Sequence, residues 1–308
     1  MSSVDRQRLV DESGRIIAQG SKSFRFASQI FDRETRERSW LLYAWCRACD
    51  DITDGQTLGH DAVSPTNPDE RIGFLRDKTG EALAGRPTGL AAFDALALVA
   101  AECAIPVELP ADHLAGFARD AAGWTPANEE ELLSYCYQVA GAVGVMMALV
   151  MGVAATDKDT LDRAADLGIA FQLANIARDV VDDAKVGRLY LPTDWLAAEG
   201  IPAGEIAEPH HRPALAYIAQ RLGDLADVYR KSSMVGAARL PFRSRWAVLS
   251  AARIYGAVAE RAVELGERAW DERISIQRSE KFALVLKALG DSLVKPDVVS
   301  RAGLWTRA

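Results

Sequence analysis

The chain has 308 residues, 49% of them hydrophobic and 26% charged, with a formal net charge of −7. That length can bury a large core, as one big domain or as two, and the composition is that of an ordinary water-soluble protein. The acidic balance, with no basic stripe to offset it, argues against nucleic acid as a partner.

No N-terminal stretch has the basic, apolar, small-residue order of a signal peptide, and no run of about 18 apolar residues is present. The nearest, 139–155, is rich in Gly and Ala. A cytoplasmic location is expected. The cysteines Cys46, Cys49, Cys103 and Cys136 make no disulfide pattern. Cys46 and Cys49 form a CxxC that lacks the second pair or neighbouring His of a zinc set, so they read as reduced core thiols. His60, His113, His210 and His211 lack metal spacing and read as surface or loop residues.

Abundant alanine and scarce β-branched alternation predict an all-α fold. A first helix spans about 4–21 and ends in G-S-K-S-F (20–24), where Ser21 and Lys22 serve either as a cap or as phosphate contacts. Asp32 caps the next helix. Along that helix Tyr43, Arg47, Asp50 and Asp54 fall at spacings of four, three and four, one polar stripe. Leu41, Trp45, Ala48 and Ile52 repeat alongside as a core-facing stripe, and Gly55 ends the helix. Residues 55–68 form a loop. Amphipathic helices at about 69–84, 90–104 and 110–122 carry no polar constellation and read as scaffold.

In 128–152, Ala140, Gly144 and Met147 share a stripe, and Gly141 and Ala142 are also small. Glycine inside a helix costs about 1 kcal/mol relative to alanine, so the cluster signals close helix packing or a cavity wall cut back for long apolar chains. The helix at 160–183 places Leu167, Gly168 and Phe171 before a polar stripe of Gln172, Asn175, Asp179 and Asp183, at spacings of three, four and four. Ile169, Leu173, Ile176 and Val180 face the core. Residues 184–213, with Pro192, Pro202, Pro209 and Pro213, form the longest irregular stretch, of the kind that makes lids. Arg188 lies on its G-R-L-Y-L-P turn. Helices follow at about 212–233, 243–270 and 279–290, and the tail after Lys295 is expected to be mobile. No linker divides the chain, so one domain is expected, with its core over about 20–290.

Two like charges about 5 Å apart repel by roughly 3 kcal/mol at an effective dielectric near 20. A single DxxxD is commonly a solvated helix end. Two helices that each end their polar stripe this way can face each other and converge four carboxylates on one cavity mouth. Mg²⁺ takes one or two carboxylates together with waters and phosphate oxygens, so the pattern suits capture and ionisation of a diphosphate. Arg47 and Arg178 would neutralise the remaining phosphate charge.

The runs G-S-K-S-F (20–24), Y-A-W-C-R-A-C-D-D-I-T-D (43–54), Y-C-Y-Q-V-A-G-A-V-G (135–144), F-Q-L-A-N-I-A-R-D-V-V-D-D (171–183) and G-R-L-Y-L-P (187–192) resemble the squalene and phytoene synthase family of head-to-head prenyl synthases. The likeness is greatest to its bacterial phytoene synthases. The resemblance covers about Gly20 to Arg278. It implies the isoprenoid synthase fold, helices surrounding a central apolar cavity. The implied reaction condenses two geranylgeranyl diphosphates, via prephytoene diphosphate, to phytoene, with loss of both diphosphates and a proton.

On this reading Asp50, Asp54, Asp179 and Asp183, supported by Asn175, hold Mg²⁺ (or Mn²⁺), and no NADPH is needed. Arg47, Gln172, Arg178 and Arg188, with Ser21 and Lys22, contact diphosphate or orient the acids. Asp51 and Asp182 point partly away. The resemblance adds Tyr255 and Arg273 as diphosphate contacts. It also implies a prenyl-tail pocket of Phe24, Tyr135, Val139, Ala140, Val143, Gly144, Met147, Leu167, Gly168 and Phe171. Tyr43 and the departed diphosphate are the candidates to take the final proton. Within the enzyme class the alternative is a 30-carbon relative acting on farnesyl diphosphate. Outside it, the alternative is a non-catalytic lipid-binding or assembly protein, whose mark would be degenerate acidic motifs. Both motifs are intact. Lipid substrates and product imply peripheral contact with the inner face of the cell membrane; the oligomeric state is not readable.

Overall fold

The computed structural model of the chain describes residues 3–20, 25, 27–55 and 67–307. It opens with α1 (Ser3–Gly20). Polar side chains then set where several helices begin. Asp32 accepts from the Thr35 amide at 3.0 Å before α2 (Arg33–Thr53), and Asn67 from that of Asp69 at 3.0 Å before α3 (Pro68–Leu83). After α4 (Ala91–Cys103) and α5 (Glu108–Ala121), Asn128 caps α6 (Glu129–Cys136) through the Glu131 amide at 3.0 Å. Asp157 caps the 28-residue α8 (Lys158–Lys185) through the Thr160 amide at 3.1 Å. Each such bond satisfies an amide that the first helical turn leaves unpaired.

The helix expected over 128–152 is divided. Between α6 and α7 (Ala142–Val150) lies a π-helical segment, Tyr137–Gly141. By length and composition Glu129–Val150 could cross a membrane, but 61% of its most apolar window is buried in the protein, as in a core helix. Its closeness to α8 explains two glycines. A Cβ on Gly144 would lie 2.4 Å from the Ala164 carbonyl oxygen, and one on Gly168 2.3 Å from that of Ala140. The small residues here thus serve close packing, and several also face a cavity.

α8 runs through the core, packed on α7, on α10 (Arg212–Ala237) and on α11 (Phe242–Leu265). Among the described residues every regular element is helical. The four cysteines are unpaired thiols.

Several expectations need correction. Residues 184–213 are not a long irregular stretch: they hold α9 (Thr193–Ala198) and 3₁₀ turns at Ala203–Glu205 and Pro209–His211, anchored by buried Leu191, Trp195, Leu196, Ile201 and Ile206. The prolines misled because Pro192, Pro209 and Pro213 sit at helix starts, where a missing amide costs little. The helix expected to reach 270 ends at Leu265, followed by Gly266 at φ +56°. The tail is not loose. Arg301 donates twice to buried Asp166 at 2.8 Å, the Trp305 amide donates to the Tyr229 hydroxyl at 3.0 Å, and Arg307 donates to Asp162 at 3.1 Å. His113, expected at the surface, is buried on α5 between Trp45 and Phe117.

Candidate active site

α2, α5, the α6–π–α7 run, α8, α10 and α11 surround a cavity of about 580 Å³. Tyr135, Val139, Ala140, Val143, Gly144, Met147, Leu167, Gly168 and Phe171 all line it, as do Tyr43, Asp50, Asp54, Gln172, Asn175, Arg188 and Tyr255. Ser21, Lys22 and Phe24 lie outside the described residues. Phe31, Met151, Leu240, Ala247 and Ile254 form an apolar end that the sequence reading did not include.

The two acidic stripes meet at the other end. Arg188, just past α8, donates to Asp54 Oδ1 at the end of α2, at 2.7 Å, and so ties the two motifs together. Asp179 and Asp183 continue the Gln172–Asn175 face of α8, one and two turns beyond Asn175 and outside the cavity lining itself. Asp50 is reachable from the cavity, yet protein surrounds it on most sides. That burial pushes its carboxyl up to about 6, against the pull of Arg47 and with help from Asp54, Asp51 and Asp120. Burial and then the Asp179 charge push Asp183 up to about 7, opposed by Arg188 and Arg178.

The arginines named from sequence pair with acids. Arg47 meets Asp51 at 2.6 Å, Arg178 grips Asp179 with two nitrogens, and Arg273, largely exposed, lies 3.8 Å from Asp179. Arg47, Arg178 and Arg273 are not part of the cavity lining. Asp182 faces solvent with Lys185. Tyr255 stacks on Phe171, ring centroids 4.1 Å apart, in the cavity wall.

α5 is more than scaffold. His113, Phe117 and Asp120, at spacings of four and three, line the cavity. Asp120 accepts from the hydroxyls of Tyr135 (2.9 Å) and Tyr190 (3.0 Å), and those two rings stack at 5.1 Å. Tyr135, read as tail pocket, therefore also has a polar task. Asp120 raises the carboxyls of both Asp50 and Asp183, which places it between the motifs. Burial holds its own carboxyl up, against those two hydroxyls. The His113 ring offers Nδ1 to the Gln138 carbonyl at 3.2 Å, and burial brings its pKa down to about 4, so it is neutral.

The donor set fits a hard divalent cation. It consists of carboxylate oxygens whose mutual repulsion a cation would relieve, together with an amide side chain. Among the described residues these aspartates do not close on their own into a three-ligand cluster; the group that does, Glu205 with His210 and His211, is not among the residues lining the cavity. A site of this openness leaves room for waters and for ligand oxygens.

An all-α fold around an apolar cavity with a two-motif acidic mouth defines the isoprenoid synthase class of enzymes. The squalene/phytoene synthase profile matches residues 17–280. The chain is 44% identical over 304 residues to a 15-cis-phytoene synthase of Pantoea ananas, covering 97% of this chain and 98% of that protein. It is 43% identical over 302 residues to one of a Paracoccus species, with coverage of 97% and 98%. In fold it is similar to a dehydrosqualene synthase crystal structure (TM-score 0.82, 24% identity, 93% of this chain and 97% of that chain). A squalene synthase from Alicyclobacillus acidocaldarius is also similar (TM-score 0.75, 21% identity, 86% and 97%). The chain belongs to the squalene/phytoene synthase family and is an enzyme of the prenyltransferase type.

Proposed function

We propose that this chain is a 15-cis-phytoene synthase, joining two geranylgeranyl diphosphates head to head with release of both diphosphates, a step of carotenoid biosynthesis. The observation that carries this is the Arg188–Asp54 pair, which joins the ends of the two acidic helices at one mouth of an apolar cavity. The names of the relatives at 43–44% identity support the product. The activity is assigned to the chain as a single domain.

Asp50, Asp54, Asp179 and Asp183, with Asn175, are assigned to hold Mg²⁺, for which Mn²⁺ could substitute. When bound, the metal supplies electrostatic pull on the departing diphosphate. Arg47, Arg178, Arg188 and Arg273, which pair with acids here, are assigned to contact phosphate oxygens. Gln172 and Tyr255 complete that shell, and Ser21 and Lys22 are assigned to it from sequence. The apolar wall from Tyr135 to Met147 and from Leu167 to Phe171, with Phe24 assigned from sequence, holds the prenyl tails and keeps water from the allylic cation. Tyr43, half-buried in the lining, or the released diphosphate takes the final proton. The product forms by proton loss, so no NADPH is assigned. We assign the protein to the cytoplasm, with peripheral contact to the inner face of the cell membrane as the reading that lipid substrates favour.

The test is to incubate purified protein separately with geranylgeranyl and farnesyl diphosphate and measure product mass. A 40-carbon product is expected from the first; a 30-carbon product from farnesyl diphosphate alone would overturn the assignment. Asp50→Asn and Asp179→Asn should each cut turnover by at least about a hundredfold, and a chelator should stop it. Unchanged turnover in either variant removes the assigned roles.

A further inference from the structure

The last long helix, α12 (Arg278–Ser292), packs along α11 and on no other helix to a comparable extent. Its inner face is apolar. Buried Val285 joins Ile30, Phe31, Met151, Leu240, Ala247 and Ile254, and all of these except Ile30 and Val285 line the apolar end of the cavity. The Trp246 indole fixes the helix by donating to the Val285 carbonyl at 2.9 Å.

One exposed stripe of the helix is apolar as well. Phe282, Leu286 and Leu293 fall on one stripe, 56%, 51% and 74% exposed, and Val294 and Val298 continue the exposed surface beyond the helix. A surface helix that adds an exposed apolar stripe to its buried face suits contact with lipid.

The charges around this surface select between partners. Arg278, Lys287 and Lys295 are exposed beside it, Lys287 on the neighbouring stripe that also carries Glu280 and Asp291. The helix's acids are turned to α11: Glu280 pairs with Arg261 at 3.0 Å, and Asp291 with Arg253. Asp297 is the exposed carboxylate within 278–299. The patch is therefore cationic on a chain of net charge −7. A two-fold contact between copies would set like charges against each other, whereas an anionic bilayer neutralises them.

We infer that α12 and the segment up to Val299 seat the protein on an anionic lipid bilayer, with the apolar end of the cavity directly behind the seat. This deepens the proposed function, since it rests on substrate and product being long-chain lipids.

The test is flotation of the full-length protein with vesicles of phosphatidylcholine alone or mixed with phosphatidylglycerol. The native chain should float with the mixed vesicles and much less with the neutral ones. Combining Phe282→Ser, Leu286→Ser and Leu293→Ser should lower partitioning roughly tenfold or more. Lys287→Glu with Lys295→Glu should abolish the preference for anionic vesicles. Both variants should still turn over detergent-dispersed geranylgeranyl diphosphate, which shows that they are folded. A native chain that does not float, equal flotation on both vesicle types, or a triple variant that floats as the native chain does would overturn the assignment. So would a dimer that the triple variant dissociates while still binding vesicles. Absence of phytoene in detergent, with flotation intact, would instead sink the proposed function and leave the seat standing.

Discussion

Asp183 carries its carboxyl at about 7, above an ordinary aspartate value near 3.8, because burial and the neighbouring Asp179 disfavour its charge. The folded protein therefore binds more protons than the unfolded chain between pH about 4 and 7, and stability falls as pH rises through that window. Asp50, raised to about 6, adds the same sign over a narrower span. Buried His113, held down to about 4, works the other way between pH about 4 and 6.5, but the two aspartates together outweigh it. In the presence of a chelator, thermal unfolding should thus occur at lower temperature at pH 8 than at pH 5. Asp183→Asn should flatten that slope and raise the melting temperature at pH 8 while turnover is lost; an unchanged slope would mean that Asp183 ionises freely in the fold. The motif aspartates were legible in the sequence because helical periodicity alone puts Asp50 with Asp54 and Asp179 with Asp183 on common faces. Asp120 was not. Its meaning comes from the hydroxyls of Tyr135 and Tyr190, which reach it from 15 and 70 residues away, and no local pattern encodes such a meeting.

Helices were legible where a cap or a periodic apolar face announced them, as at Asp32 and along 160–183. They were hidden where proline density mimicked a loop, as around α9. The π segment at Tyr137–Gly141 has no periodic signature short enough to read, and its consequence, an offset between α6 and α7, is a matter of packing. The glycines on either side of the α7–α8 contact could be noticed from sequence, but their role could not be decided. Geometry decides it. In Gly168→Ala the new methyl would sit 2.3 Å from a backbone oxygen that cannot swing aside. The gain of about 1 kcal/mol in helix propensity is set against a forced separation of two core helices, of the kind that costs about 1–3 kcal/mol or more. Gly168→Ala should therefore lower the urea midpoint and also reshape the cavity wall, cutting turnover. A stabilised variant would show that the π-helical segment and α8 can separate without strain.

At the scale of the molecule, the C-terminal segment closes the far side of the core, and it does so through a charge. The Asp166 carboxylate is fully buried and accepts from Ser232 Oγ at 2.6 Å and from two nitrogens of Arg301 at 2.8 Å. Arg163, one turn earlier on α8, donates to the Val299 carbonyl at 3.0 Å and lines the cavity, so the tail bears on the cavity wall. Removing one partner of a buried pair leaves an uncompensated charge and costs about 3–5 kcal/mol, more than the pair itself contributes. Arg301→Met should therefore destabilise the protein by about that amount in urea unfolding and lower turnover, although Arg301 touches neither acidic motif. Adding Asp166→Asn to Arg301→Met should recover part of the loss, because the stranded charge is then gone. If the double variant is no more stable than Arg301→Met alone, the tail holds the core by packing of Trp305 on Tyr137 and by its amide bond to the Tyr229 hydroxyl, and not by neutralising Asp166.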